Sequence, residues 1–474
     1  MTLYVSCLAA LLMVCAGILV RNYAAKQLLL LAASYVFYQF WGLSFLVVLI
    51  ASSIVNFYLG VWLRQRPGLG RLWVGIILNV LALSFYKYLP AFSAAPDFFH
   101  KIAMPAGMSF WTFQALSYLF DIYHEDEMDP TLLEFCLYMA FWPTVLMGPI
   151  CRLPKMLPQF RKTGGFIAAN VDSGSRRIVL GLFMKLVLAQ ILGPIVNRSF
   201  DQAGRNWGGI DVWLLAIGFG FQLFFDFAGY SNIVIGAARI FGFQLEENFN
   251  SPYRSSSPSV FWTRWHMSLS SWIRDYVFVP MGALFRTPSW RYVVLVLSMA
   301  LFGLWHGAKV TFVLWGICQG IFLVLHRLIL QLQRRINWKT SGLLDNFGGW
   351  IVTFVGISLG WILFRANDLH QAAVMYSAIL TPGSYRQMEL PLNYYRAFIV
   401  LVGGYFLICA AMETQLFRRI SASFQISEEK PGFFRLCWGN LWWAVAPPIV
   451  MLIVVAVLFL SRTATVTPFM YSAF

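Results

Sequence analysis

The sequence predicts an all-α integral membrane protein of about 11–12 transmembrane helices, with re-entrant and interfacial helices between them. Three observations carry this expectation. Hydrophobic residues make up 59% of the 474 residues and charged residues only 12%, whereas charged residues are about a quarter of a soluble domain. The mean hydropathy is +0.67, and oily segments recur from end to end without a long polar block. The 35 Lys and Arg residues fall mainly in short loops between those segments, the distribution of a positive-inside topology. That distribution accounts for the net charge of +15 without nucleic acid as a partner.

Apolar runs of about 20 residues, some shorter, begin near residues 3, 27, 43, 72, 104, 132, 178, 212, 292, 311, 350, 397 and 441. In the first, LYVSCLAALLMVCAGILV, the basic residues Arg21 and Lys26 follow the run. This is the pattern of a first span entering with its N-terminus outside, not of a cleaved signal peptide. Basic loops at 21–26, 64–71, 151–177, 254–291, 327–339 and 414–435 are expected on the cytoplasmic side. That side assignment requires one of the runs 104–123 and 132–150 not to cross. The second, interrupted by Pro143, Gly148 and Pro149, suits a re-entrant segment buried in protein, and both termini then lie outside. The polar stretches 366–395, outside, and 413–437, inside, are loops or docking surfaces. Cys7, Cys15, Cys136, Cys151, Cys318, Cys409 and Cys437 are scattered, mostly in apolar runs, without metal-ligand spacing, and read as small core hydrophobes. With no internal repeat or flexible linker, residues 1–474 are expected to form one polytopic domain.

The chemistry-bearing stretch is FWTRWHMSLSSWIRDYVFVPMG, residues 261–282. Read as a helix, it places Trp262, Trp265, Leu269, Trp272, Ile273 and Tyr276 on an apolar stripe, with Arg264, Ser268, Ser271, Arg274 and Asp275 elsewhere. His266 falls at the edge of the stripe, facing protein or lipid; a hydrogen-bonded packing role and a chemical one are both open. A second histidine, His306, sits in MALFGLWHGAKVTFVLWG, where Gly303 and Gly307 allow close backbone approach. An imidazole among apolar side chains resists protonation and is available as a neutral base near pH 7. His100, His124, His326 and His370 lie in loops or near span ends and read as surface groups.

A third stretch, QLFFDFAGYSNIVIGAARIFGFQLEENFNSPY at 222–253, carries Asp226 among aromatics, an expected break at Gly-Tyr-Ser, and an apolar run too short to span. Asp226 is open to pairing with a cation, orienting a histidine, or hydrogen-bonding the broken backbone. Asp121 in LSYLFDIY and Lys87 in FYKYLP read as interfacial anchors in preference to catalytic groups. No GxSxG, HExxH, P-loop or GxGxxG element has the right flanks, so a covalent serine or a zinc mechanism has no support.

Several blocks, in order, resemble the membrane-bound O-acyltransferase (MBOAT) family, within it the bacterial branch of alginate O-acetylation and teichoic-acid D-alanylation proteins: LLLLAASYVFYQFWG, FYKYLP, MPAGMSFWTFQALSYLFDIY, FFDFAGYSNIVIGAARIFGFQLEENFNSPY, FWTRWHMSLSSWIRDYVFVPMG, GLWHGAKVTFVLWG and WILFRANDL. They cover roughly residues 28–370, and WH-S-LS-W-RDY followed by LWHGA is the most specific combination. The resemblance implies helices around a central tunnel that joins a cytoplasmic acyl thioester, acetyl-CoA or an acyl-carrier thioester, to an acceptor on the far side, with no bound cofactor and no metal. His306 matches the family's catalytic histidine and His266 its second histidine. Asp226, Tyr230, Asn232, Trp262, Trp265 and Trp305 lie in matched blocks as substrate or tunnel residues. Arg264, Arg274 and Asp275 are expected near the cytoplasmic mouth, meeting coenzyme A phosphates or an acidic carrier, or else anchoring the interface. The chain departs from the pattern in reading GYSN at Asn232 where GYSD is frequent, PMGALF around Gly282 where a double glycine follows the proline, and Gln319 where a histidine is frequent.

The implied setting is the bacterial inner membrane, with the lipid bilayer, a periplasmic acetyltransferase and a polysaccharide synthesis and export complex as partners. The further C-terminal spans, 397–412 and 441–461, fit the exopolysaccharide members better than the shorter D-alanylation members. Peptidoglycan O-acetylation and D-alanyl transfer are the alternatives. A transporter would also account for many spans and intramembrane charges, but repeats between its halves would be expected, and none is visible.

Overall fold

The computed structural model describes residues 22–91, 102–124, 128–162, 168–202, 207–285, 287–337 and 342–413. The expected spans near residues 3 and 441, the basic loop 414–435, and Cys7, Cys15, Cys437 and His100 lie outside them. Every regular element among the described residues is helical. The chain divides into two compact units, the first drawn from Met1–Ile178, Ser231–Asn248 and Trp265–Ala308, the second from Val179–Tyr230, Phe249–Arg264 and Lys309–Phe474.

The first unit opens with α1 (Tyr23–Tyr38), α2 (Leu43–Gln65), α3 (Leu69–Lys87), α4 (Met108–Tyr123), α5 (Leu132–Ala140) and α6 (Leu153–Arg161). The Asn22 side chain caps α1 by accepting from the Ala24 and Ala25 amides. Helix α4 packs on both α2 and α3, and α5 on α1 and α2, so α4 is buried almost all round. Where α2 and α3 meet, Asn56 and Asn79 exchange side-chain amide hydrogen bonds of 3.2 and 2.7 Å, a polar link between helices beside the bonds each amide makes to its own helix, at the Ser52 and Gly75 carbonyls. Gly107 caps α4 at φ +74, and a Cβ there would lie 1.9 Å from the Val145 carbonyl oxygen; only glycine fits.

Helix α5 starts in a full capping box between Thr131 and Glu134. It stops at Phe141, after which the amides of Thr144 and Val145 turn back to the Phe141 carbonyl at 2.9 Å. Nine residues are too few to cross a bilayer, in line with the expected re-entrant character of 132–150. Glu134 is buried to 2% exposure and ties three helices together. It accepts from Arg161 of α6 at 2.7 and 2.9 Å, from Gln27 of α1 at 3.2 Å and from the Thr131 amide at 2.8 Å.

Helices α7 (Ala168–Phe183) and α8 (Ala189–Asp201) are joined by a π turn at Met184–Leu188. Then α9 runs without interruption over Gly209–Ile240, 32 residues. The expected break at Gly-Tyr-Ser is therefore corrected: Gly229 is a point of close approach, where a Cβ would lie 2.8 Å from the Gly181 carbonyl oxygen and 2.9 Å from the Lys185 amide nitrogen. Tyr230 and Ser231 continue the helix.

The stretch 261–282 is not one helix either. It consists of α10 (Pro258–Trp262), a turn, α11 (Met267–Ile273), a π turn at Arg274–Phe278 and α12 (Val279–Ala283). The stripe read from its periodicity therefore does not exist as a single face. Helix α13 (Pro288–His306), capped by Thr287, closes the first unit. The second unit ends with α14 (Val310–Arg335), α15 (Gly342–Arg365), α16 (Leu369–Leu380) and α17 (Leu392–Glu413), in which α14 packs on α15 and α17 on α8.

Seven helical stretches among the described residues are long and apolar enough to cross a membrane: Leu43–Gln65, Leu69–Ala91, Ala169–Asp201, Gly209–Ile240, Val310–Arg335, Asn346–Arg365 and Leu392–Ala411. The expected spans near residues 27, 104, 132 and 292 appear instead as α1, α4, α5 and α13, of 16, 16, 9 and 19 residues.

Candidate active site

His266 occupies the turn between α10 and α11. Its backbone is left-handed, φ +42 and ψ +55, and it precedes the first residue of α11. A non-glycine residue pays roughly 1–2 kcal/mol for that conformation, so the neighbours must hold it. They do so through a polar strap. The Met267 amide donates to the Asn248 carbonyl at 2.9 Å, Ser268 Oγ donates to Asn248 Oδ1 at 2.6 Å, and the Ile150 amide donates to Ser268 Oγ at 3.1 Å. Asn248 Nδ2 in turn donates to Ser231 Oγ at 3.1 Å. Asn248 and His266 are both fully buried. Burial pushes the His266 imidazole down to about 3, so this ring is neutral at physiological pH.

His306 is the last residue of α13, 2% exposed. Trp305 lies against both histidines, its ring centroid 6.4 Å from that of His266 and 4.8 Å from that of His306. Phe302 adds a contact to His306 at 5.1 Å. From α4, Phe110 and Phe113 approach Trp305 at 5.8 and 5.5 Å. Phe113 also packs on Trp272 of α11 at 4.2 Å, and Trp272 Nε1 donates to the Phe113 carbonyl at 3.0 Å. The Lys87 ammonium lies 5.1 Å from the centre of the Trp305 ring. Two buried imidazoles and an ammonium thus share an aromatic setting. Its low local polarity disfavours a lone charge and strengthens the interaction of any charge with its neighbours.

The remaining sequence-predicted residues fall in several places. Asp226 pairs with Lys185 of the π turn, as the cation-pairing reading expects; the broken-backbone reading falls with the break itself. Asn232 accepts from Arg177 Nε and Nη2 at 3.1 and 3.0 Å, while Arg177 also grips Glu247 at 2.5 and 2.6 Å. Asn232 is thereby tied into an ion pair that fastens the 244–248 strap. Trp262 packs on Phe261 and on Trp315 of α14 at 5.3 and 5.8 Å, and Trp265 is buried to 1%. Tyr230 and Arg264 are half-buried, and the Arg264 carbonyl accepts from the Asn250 amide at 3.0 Å.

Asp275 is shared by Arg274 Nε and Arg152 Nη1, each at 2.6 Å. Burial alone would raise its carboxyl; hydrogen bonds from Arg274 and Arg152 outweigh that and hold it below the ordinary carboxylate range. Asp121 accepts from the Tyr276 hydroxyl at 2.7 Å, bracing the same π turn. Among the predicted surface histidines, His124 and His370 are exposed, whereas His326 is half-buried in the body of α14. Cys136, Cys151 and Cys409 are buried as expected; Cys318 is exposed on α14. No group of His, Cys, Asp and Glu able to hold a metal ion occurs among the described residues. Elsewhere in the first unit, a cleft of about 450 Å³ is lined by Tyr23, Gln27, Leu133, Glu134 and Arg161; it shares no residue with the histidine cluster.

Residues 97–365 match the model of the membrane-bound O-acyltransferase family. This chain belongs to that family. A probable alginate O-acetylase of Pseudomonas aeruginosa is 32% identical over 77% of the chain and 72% of its own length. A peptidoglycan O-acetyltransferase of Helicobacter pylori is 31% identical over 74% of the chain and 73% of its own length. A teichoic acid D-alanyltransferase of Streptococcus thermophilus is 30% identical over 65% and 79%. The protein is a multi-pass membrane O-acyltransferase, and the match takes in α4 to α15, with both histidines inside it.

Asn248, Ser268 and Lys87 join the histidine cluster without having been singled out for it. Asn248 and Ser268 lay within quoted blocks, but their pairing, 20 residues apart, follows from the turn at 263–266, which a continuous-helix reading erases.

Proposed function

We propose that this O-acyltransferase carries acetyl groups from a cytoplasmic thioester, acetyl-CoA or an acyl-carrier thioester, across the bacterial inner membrane for O-acetylation of an exported polysaccharide. A periplasmic acetyltransferase and a polysaccharide synthesis and export complex are its partners in this reading. The observation that carries the chemistry is that His266 and His306 both pack against Trp305 and are both out of water.

His306 acts as general base. It takes the proton of an acceptor hydroxyl as that oxygen attacks the thioester carbonyl. The tetrahedral intermediate then expels the thiolate, which recovers the proton from the imidazolium, leaving an ester and a free thiol. His266, neutral and rigidly strapped, orients the thioester or donates to the developing oxyanion. Arg152 and Arg274, already engaged with Asp275, retain donors for the phosphates of a coenzyme A-type donor. Acetyl in preference to D-alanyl transfer is supported by the broader match to the acetylase relatives. Peptidoglycan is the second acceptor, and acetylated product from purified peptidoglycan fragments would favour it.

The test is turnover of labelled acetyl-CoA by the purified protein in lipid vesicles, parent against His306→Ala. Loss of activity by about 10²–10⁴-fold, the usual weight of a general base, with an unchanged thermal midpoint is expected. Undiminished turnover would remove the assignment and reopen the transporter reading.

A further inference from the structure

By its sequence the FYKYLP segment reads as an interfacial anchor, yet in the structure it reaches the helix that carries His306. Lys87, the last residue of α3, donates through Nζ to the Trp305 carbonyl and stands 3.4 Å from Ser109 Oγ. Its ammonium also lies 5.1 Å from the centre of the Trp305 ring. The next residue, Tyr88, donates its hydroxyl to the Leu304 carbonyl at 3.0 Å, a carbonyl that also accepts from the Gly307 amide at 3.1 Å. Carbonyls at a helix C-terminus lack partners within the helix, and cations are favoured there. Lys87 and Tyr88 together clasp that end of α13, at the residues immediately before His306.

An anchor at a lipid interface would point its ammonium to phosphate or water. Here it points into protein, half-buried, and among the described residues no carboxylate pairs with it. A charge kept without a counter-ion beside a reactive group is a costly arrangement that function explains better than stability.

We propose that Lys87 is a positioning residue of the acyl transfer, clasping the terminal turn of α13 at the residue before His306 and setting a positive charge beside it. The proposal rests on the reading of His306 as the base. Titratable groups that act on His306 are Lys87 at the end of α3 and His266 at the start of α11, while Tyr88 reaches the Leu304 carbonyl, one residue before Trp305. Of these, His266 is neutral and Lys87 supplies positive charge. Burial is the first cause that disfavours a charge on His306, and the neighbouring ammonium adds to it. The imidazole therefore remains a base at lower pH than it would alone, and removing the ammonium must move the acid limb of the rate profile toward higher pH.

The experiment measures acetyl-CoA turnover in vesicles against pH for the parent, Lys87→Met, Lys87→Gln, Lys87→Arg and His306→Ala, each first shown to elute as folded protein. The acid limb is expected to rise by about one pH unit in Lys87→Met and Lys87→Gln, the scale of a single nearby charge, and to stay in place in Lys87→Arg. An acid limb in Lys87→Met that coincides with the parent's, or one in Lys87→Arg that moves as far as in Lys87→Met, would overturn the proposal. So would failure of both uncharged variants to fold while Lys87→Arg folds, since the clasp would then be structural only. His306→Ala separates the two levels. Parent-like turnover there defeats the base assignment itself, whereas an inactive His306→Ala with an unmoved Lys87→Met profile defeats the role of Lys87 alone.

Discussion

At the scale of single residues, His266 combines two demands that different substitutions separate. Its left-handed backbone favours Asn or Gly, its chemistry an imidazole. His266→Asn is expected to elute and melt like the parent while losing thioester turnover at least about tenfold, since it keeps the turn and drops the ring. An active His266→Asn would show that the turn, not the ring, is what position 266 supplies. Both histidines were legible because each stands in a distinctive aromatic and glycine context. Lys87 was not, because its partner at Trp305 is 218 positions away, and a linear reading shows only its neighbours in the chain. The Asp226–Lys185 pair escaped for the same reason, with the cation named only as one of three options.

At the scale of elements, the joint between α1, α5 and α6 depends on the charge of Glu134. Burial works to raise its carboxyl, but hydrogen bonds from Arg161, the Thr131 amide and Gln27 together hold it below the ordinary range. A carboxyl with a depressed folded pKa contributes stability that is complete above its unfolded value, about 4.3, and is lost as pH falls through the lower folded one. Thermal midpoints in detergent should therefore show Glu134→Gln less stable than the parent at pH 7, with the gap closing as the pH is lowered below about 4. A gap independent of pH would mean that the joint is held by shape alone. The elements themselves were readable to different degrees. Long apolar runs became α2, α3, α9 and α14 as expected, since hydropathy alone dictates them. The two misread stretches failed for opposite reasons. Gly229 looked like a break and proved to be a contact, while 263–266 showed an unbroken period and proved to be a turn, fixed by hydrogen bonds that Met267 and Ser268 donate to the distant Asn248.

At the scale of the molecule, orientation follows from the basic loops. In a background without the seven native cysteines, Gly68→Cys and Ile336→Cys should react with a membrane-impermeant maleimide only after permeabilisation, and Gly383→Cys in intact spheroplasts. The reverse pattern would invert the assignment of donor and acceptor sides. Gly68 and Gly383 are open positions and Ile336 is 55% exposed, so the labels need not disturb packing.

The Asn56–Asn79 exchange fixes how α2 and α3 can sit against each other. Each amide also donates within its own helix, Asn56 to the Ser52 carbonyl and Asn79 to the Gly75 carbonyl, both at 2.9 Å, so the cross-helix pair sets an alignment and does not rescue a stranded group. Sliding either helix by one turn would part the two side chains, which keys the hairpin around Gly68 to a single register.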